Sequence, residues 1–256
     1  MLKKIIIAVL FIFLGIFSYF IFVFDINDYK SEFEDIISEK SNTEFRISGD
    51  LELDLGSTTK IKAELLSIRK NNVLILESGT FKADVSLSQI LKGEFDINSV
   101  SLIDSKLYGL NIDESIIQTY SLLSGKRYSI NNRSYSSIKS IDARGSYSKG
   151  SLQIEDIQIT TDLIKADGFG KIIPETESLS ISSMSTIMSD EMTKEKFGEH
   201  YPTYLEGTKV PILISGNFNN PQIDVKISDV ISQKIKQEIK NKAIESIKDK
   251  IKEKIQ

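Results

Sequence analysis

Three kinds of hydrophobic pattern follow one another along the chain. Ile5 to Phe24 is a run of 20 residues without a charge. As a helix rising about 1.5 Å per residue it would span about 30 Å, the thickness of a bilayer core. Asp25-Ile26-Asn27-Asp28 breaks the run and offers N-caps, and Tyr29, Phe33, Ile36 and Ile37 then recur at helical spacing. The spacing predicts a short helix over 28–40. After it the period changes to two. Phe45, Ile47, Leu51, Leu53 and Leu55 alternate with Arg46, Ser48, Asp50, Glu52 and Asp54, which reads as a half-buried strand with one break at Gly49. The alternation returns at Ile61-Ala63-Leu65, Phe81-Ala83-Val85-Leu87 and Phe95-Ile97. It recurs at Leu152-Ile154, Ile157-Ile159, Leu179-Ile181, Ile212-Ile214 and Ile223-Val225-Ile227. Turn residues separate these runs, at Asn71-Asn72, Ser78-Gly79, Lys149-Gly150 and Asn219-Asn220-Pro221.

Helical spacing interrupts the strands twice, over Leu87 to Gly93 and over Asp113 to Leu123, where Ile116, Ile117, Tyr120 and Leu123 recur. Residues 124–137 are polar and read as a surface connection and subdomain boundary; residues 189–208 form a second polar excursion. At the C-terminus Ile231, Ile235, Ile239, Ala243, Ile247, Ile251 and Ile255 recur every four residues, with Lys on the other face, which predicts an amphipathic helix. The expected segments are therefore a stub and anchor at 1–24, a helix and strands at 25–123, the connection at 124–137, further strands at 138–228 and a basic helix at 229–256. The class is mainly β. Period two alone favours an ordinary packed sandwich over a sheet that curls without closing and leaves its apolar face as a groove.

Charge adds a topology. The net charge of -4 divides into +2 from Lys3 and Lys4 before the apolar run, -10 over residues 25–229 and +4 over 230–256. Lys3 and Lys4 before the run, with Asp25 and Asp28 after it, place the short N-terminus in the cytoplasm and the bulk of the chain beyond the membrane. The run ends in bulky residues with no small-x-small cleavage site, so an uncleaved, single-pass anchor is expected. The acidic middle argues against a nucleic-acid-binding body. For the basic helix, one reading is a lid over the end of the sheet. Another is contact with an anionic membrane surface through Lys240, Lys248, Lys252, Ile247 and Ile251. Coiled-coil pairing fits the strict step of four less well.

Candidate chemistry is sparse. The absence of Cys excludes disulfides, thiol catalysis and thiolate metal sites. The one histidine, His200, has no nucleophile motif near it. Asp50, Glu52 and Asp54 lack the spacing and Gly of a calcium loop. Acid pairs such as Glu34-Asp35 and Glu155-Asp156 read as surface charge, and Gly168-Phe169-Gly170 does not open a helix. No enzyme activity, metal or cofactor is expected.

Three stretches resemble the AsmA family of bacterial envelope proteins. The first is Asp25-Ile26-Asn27-Asp28-Tyr29-Lys30, the helix after it, and Arg46-Ile47-Ser48-Gly49-Asp50-Leu51. The second runs from Ala83 to Leu102 through Gly93-Glu94. The third runs from Ile138 to Ile173, with Ala143-Arg144-Gly145 and Ala166-Asp167-Gly168-Phe169-Gly170, and continues in Val210 to Gly216 and Asn220-Pro221. Residues 111–137 stand where longer relatives carry a long insertion, so the chain looks like a minimal version. The resemblance implies an inner-membrane anchor and a periplasmic β-groove of the kind found in chorein-type bridge-like lipid-transfer proteins. Phospholipid handling and outer-membrane biogenesis would follow, with acyl chains, the inner membrane and other envelope proteins as partners. The groove would be lined by Phe45, Ile47, Leu51, Leu53, Phe81, Val85, Leu87, Phe95, Ile97, Ile157, Ile159, Ile212 and Ile214. About 12 strands at about 4.8 Å would make a ladder of roughly 55–60 Å, too short to bridge two membranes alone. The competing expectation is an anchored scaffold or assembly factor for outer-membrane proteins that carries no lipid.

Overall fold

A computed structural model describes residues 25–86, 94–124, 135–217 and 220–230. The chain enters through a 3-10 turn, Ile26–Tyr29, capped by the Asp25 carboxylate, which accepts from the Asn27 N–H at 2.9 Å. Helix α1 (Lys30–Ser41) follows and stops at Asn42, whose left-handed φ of 51° is the conformation that commonly ends helices. Eleven strands make one antiparallel sheet. They are β1 (Glu44–Ile47), β2 (Leu51–Leu55), β3 (Thr59–Lys70), β4 (Val73–Ser86), β5 (Phe95–Tyr108) and β6 (Tyr135–Ser148). The rest are β7 (Ser151–Thr161), β8 (Ile164–Ile173), β9 (Ser178–Ile187), β10 (Lys209–Asn217) and β11 (Asn220–Val225). Helix α2 (Ile112–Ser124) lies in the β5–β6 connection and α3 (Glu191–Phe197) in the β9–β10 connection. Strand order follows chain order, except that β1 and β2 both pair with β3. The turns Asn71-Asn72 and Lys149-Gly150 hold positive φ at both central residues, the twist that suits a two-residue hairpin.

The sheet does not close, and it is one sheet rather than two packed against each other. Its path holds ten strands, because β1 and β2 share a neighbour. The ladder is therefore about 43 Å when laid flat at about 4.8 Å per step, shorter than the sequence suggested. It is not flat. Lys70, at the end of β3, makes an ion pair with Glu177 in the β8–β9 turn. These strands lie five steps apart in the ladder, about 24 Å if planar. Alternating strand direction also puts the two residues on opposite edges. A twist of about 20–25° per strand accumulates to roughly 100–125° over five steps and turns one edge toward the other.

A crease crosses the N-terminal half. On β3 the inward residues are Ile61 and Ala63, then Leu66 and Ile68; Leu65, expected inside by strict alternation, is 59% exposed. Its φ of +52° inverts the pleat. The register aligns Leu65 with Gly79 on β4, Asp104 on β5 (φ +52°) and Lys139 on β6. On the other side, Ser48 and Gly49 donate backbone bonds to Leu65 and Glu64. The break at Gly49 thus faces this crease, and a Cβ there would stand 2.7 Å from that of Glu64.

Two apolar clusters fill the concave side. The smaller joins Phe45, Ile47, Leu51, Ala63 and Leu66 to Ile26 and to Phe33 and Ile37 of α1. The larger joins the β6–β11 face to Ile112, Ile116, Ile117 and Tyr120 of α2. Several expectations need correction. Tyr135–Ser137 belong to β6 instead of a surface connection, and buried Ser136 bonds the Leu110 carbonyl and the Ile112 N–H. Strand β11 stops at Val225, and Ile227 is buried at the start of a helical turn. Glu34, read as surface charge, is 7% exposed; it accepts from the Ile47 N–H at 2.7 Å and from Arg46 at 3.1 Å, fastening α1 to β1. The expected anchor at Ile5–Phe24, the turn around Leu87 and the basic helix beyond residue 230 lie outside the described residues. Among the described residues no helix is long and apolar enough to cross a membrane.

Candidate functional site

Antiparallel register places the inward residues in rows that run across the strands. One row reads Ala63, Phe81, Leu102, Ile141, Ile159, Ala166, Ser185 and Val210. The next reads Ala83, Val100, Ala143, Ile157, Gly168, Ser183, Ile212 and Val225, and the one after it Val85, Ile97, Gly145, Ile154, Gly170, Ile181, Ile214 and Ile223. The inner face is thus largely apolar, with Gly, Ala and buried Ser78, Ser105 and Ser185 among the larger aliphatic side chains. A Cβ at Gly170 or Gly168 would come 2.5 or 2.4 Å from a β9 carbonyl. Side chains at these two points would push β9 away.

Where the curled halves face each other they flank a half-open cavity of about 880 Å³. Its apolar wall comes from Phe45, Ile68, Ile75 and Leu107 on one side and from Ile138, Ile141, Ile157, Ile159, Leu179, Ile181 and Ile214 on the other. An aliphatic lining of this kind offers water no partners and suits an apolar occupant. Polar groups come from turns and strand ends: Asn42, Thr43, Lys70, Tyr108, Glu175 and Glu177. The Lys70–Glu177 pair lies among them and ties the two walls together. Tyr108 is held from outside, since its hydroxyl donates to Glu77 at 2.7 Å, and that bond pushes the phenol up to about 12.

The residues expected to line a groove divide into groups. Phe45, Ile157, Ile159 and Ile214 line the cavity. Ile47 and Leu51 are sealed beneath α1, and Ile212 is sealed in the larger cluster. Phe81, Val85 and Ile97 lie on the inward rows away from the cavity, and Phe95 stacks on Tyr147 with ring centroids 4.9 Å apart. Leu53 lines a shallow depression on the β2–β4 surface with Lys62 and Asp84. Leu87 and the group Lys240, Ile247, Lys248, Ile251 and Lys252 lie outside the described residues. Sequence reasoning missed Ile138, Ile141 and the Lys70–Glu177 pair. Ile138 and Ile141 fall on opposite parities, so no period-two template finds both.

A second, smaller polar cleft lies at the start of α2, lined by Asp113, Glu114, Asp162, Lys196 and His200 among others. Asp113 is buried and accepts from the Thr161 hydroxyl at 2.5 Å. That same hydroxyl accepts from the Leu163 and Ile164 N–H groups, so α2 is pinned to the β7–β8 turn. Burial, with the nearby Asp162 charge adding to it, pushes the Asp113 carboxyl up to about 7. Asp162 is balanced by Lys196 at 2.6 Å and Lys139 at 3.8 Å. Of Asp50, Glu52 and Asp54, Glu52 is held in an ion pair by Lys62 at 2.7 Å, and Lys62 also reaches Glu64 at 3.2 Å. Among the described residues no three acidic or histidine ligands converge on one point.

Comparison with protein-family models and with curated proteins finds no match to this chain.

Proposed function

We propose that the chain is a short AsmA-family protein of the bacterial inner membrane. Residues 5–24 anchor it, the curled sheet stands in the periplasm, and the apolar cavity takes up phospholipid acyl chains in the service of outer-membrane biogenesis. The observation that carries this reading is the cavity: about 880 Å³, lined by aliphatic side chains from both halves of one unclosed sheet, with polar groups gathered at its turns. Hydrophobic transfer drives such a site, at roughly 0.8 kcal/mol for each methylene buried. A ladder of about 43 Å suits local holding of a lipid, or hand-over to a partner, better than a bridge between two membranes. The basic stretch after residue 230 would then lie against anionic lipid or cover the end of the sheet.

The test is lipid content. Full-length protein purified in mild detergent, extracted with organic solvent and analysed by mass spectrometry is expected to yield close to one phospholipid per chain. Ile141→Trp fills the cavity from its wall without adding charge and should lower that yield several-fold while the thermal melt stays cooperative. A wild-type preparation free of lipid, and unable to take any up from vesicles, would leave the anchored-scaffold reading in its place.

A further inference from the structure

The outward side of α2 is unlike the charged surface around it. Ile116, Ile117 and Tyr120 pack on the sheet, and the opposite positions Ser115, Gln118, Thr119 and Leu122 share the other face. No charge occurs from residue 115 to residue 125. The Ser115 hydroxyl donates to the Asn111 carbonyl and the Thr119 hydroxyl to the Ser115 carbonyl, both at 2.7 Å, so neither needs water. In the last turn Leu122 is 82% exposed and Leu123 49%. The place of that turn follows from two lengths. The start of α2 is pinned to the β7–β8 turn through Asp113, and its 13 residues extend about 20 Å. Strand β11 stands three steps beyond β8, about 14 Å away, and α2 packs beside it. The exposed leucines therefore come to the strand from which the chain leaves the sheet. Just after Val225, residues 227–230 begin a helix in which Ile227 is fully buried and Val230 joins the α2 cluster.

We propose that the outward face of α2 is the docking surface for the chain's own C-terminal segment, whose isoleucine stripe covers Leu122 and Leu123. The sequence continues the step of four from Ile227 through Ile231, Ile235 and Ile239. As a helix this stretch spans about 18 Å, close to the length of α2. Its first turn already sits in the α2 cluster, so the segment is tethered at the site and holds it at high effective concentration against a second copy or another protein. The contact is apolar on both sides: isoleucines meet two leucines and hydroxyls already bonded to their own backbone. Lys234, Lys236 and Lys240 stay toward solvent. The stripe is then spent on α2 and not on acyl chains, whether or not the cavity takes up lipid. Because Ile112 at the start of α2 lines the cavity, the same contact steadies that wall.

The experiment uses the full-length chain in phosphatidylcholine nanodiscs and the absence of Cys from the sequence. Leu122→Cys is combined with Ile235→Cys on the stripe or with Gln237→Cys on the opposite side of the same helix. Under mild oxidation the Ile235→Cys pair should form an intramolecular disulfide at least about tenfold faster, since only the stripe comes within disulfide reach of Leu122. Hydrogen exchange adds a readout without oxidation. Leu122→Ser with Leu123→Ser alters two exposed side chains, so the fold stays intact, and exchange over residues 231–239 should accelerate about tenfold while β4 is unchanged. Equal disulfide rates at the two positions overturn the proposal, as they would if the stripe lay on lipid or residues 125–134 covered the leucines. A disulfide formed mainly between two chains overturns it in favour of a second copy. Exchange over 231–239 that ignores the leucine pair overturns it as well.

Discussion

Asp113 shows how one buried carboxyl can make a helix dock conditionally. Its folded pKa is raised from 3.8 to about 7, with desolvation the larger cause. The folded chain therefore holds a proton that the unfolded chain gives up between those values. The contribution to stability is fully present below pH 3.8 and is lost as pH rises through about 7. In that window the wild-type melting temperature should fall relative to Asp113→Asn, by at least about 3 °C between pH 5 and pH 8. Differential scanning calorimetry of the two proteins across that range checks it, and parallel pH profiles would remove Asp113 as the cause. Glu34 makes a second prediction at this scale. Its carboxylate satisfies the Ile47 N–H from within a buried site, so Glu34→Ala should cost about 2 kcal/mol in urea denaturation. Its exposed neighbour Asp35 reaches only Arg46, at 3.7 Å, and Asp35→Ala should cost nothing measurable.

Strands β8 and β9 set the curvature of the C-terminal half. Gly168 and Gly170 face inward where any side chain would meet a β9 backbone oxygen. Gly170→Ala should destabilise the protein by about 1–3 kcal/mol, as overpacking does, and hydrogen exchange should rise along β9 before it rises along β4. The crease does the corresponding work in the other half. Leu65 and Asp104 hold left-handed backbone and Gly79 lies between them, so three neighbouring strands reverse their pleat along one line. Period two was legible in the strands because one face of the sheet is buried. It was misleading at Leu65 because a pleat inversion leaves no mark on local hydrophobicity. The helix at 112–124 was legible because Ile116, Ile117 and Tyr120 all face the sheet, and all three are buried.

At the scale of the whole molecule the two halves meet through the cavity and through the Lys70–Glu177 ion pair. An occupant that enters past this ion pair needs the walls to part there or the rim groups to rearrange. The chain contains no Cys, so Lys70→Cys with Glu177→Cys supplies a single pair of thiols. A short bifunctional thiol reagent across them should slow lipid exchange with vesicles at least tenfold, while the same variant without the reagent exchanges freely. Unchanged exchange in the cross-linked protein would mean that lipid enters elsewhere, past α2 for example.

The sequence alone determined the mainly β class, the positions of α1 and α2, most strand locations and the apolar character of one face. These are local properties, written in spacing and in turn residues. Tertiary structure decided that the sheet stays single and unclosed, that Leu65 faces out, that Glu34 is buried, and that Lys70 meets Glu177 across 107 residues. Those outcomes depend on twist summed over many strands and on backbone inversions at single residues. Neither quantity is carried by the hydrophobic pattern of any one segment.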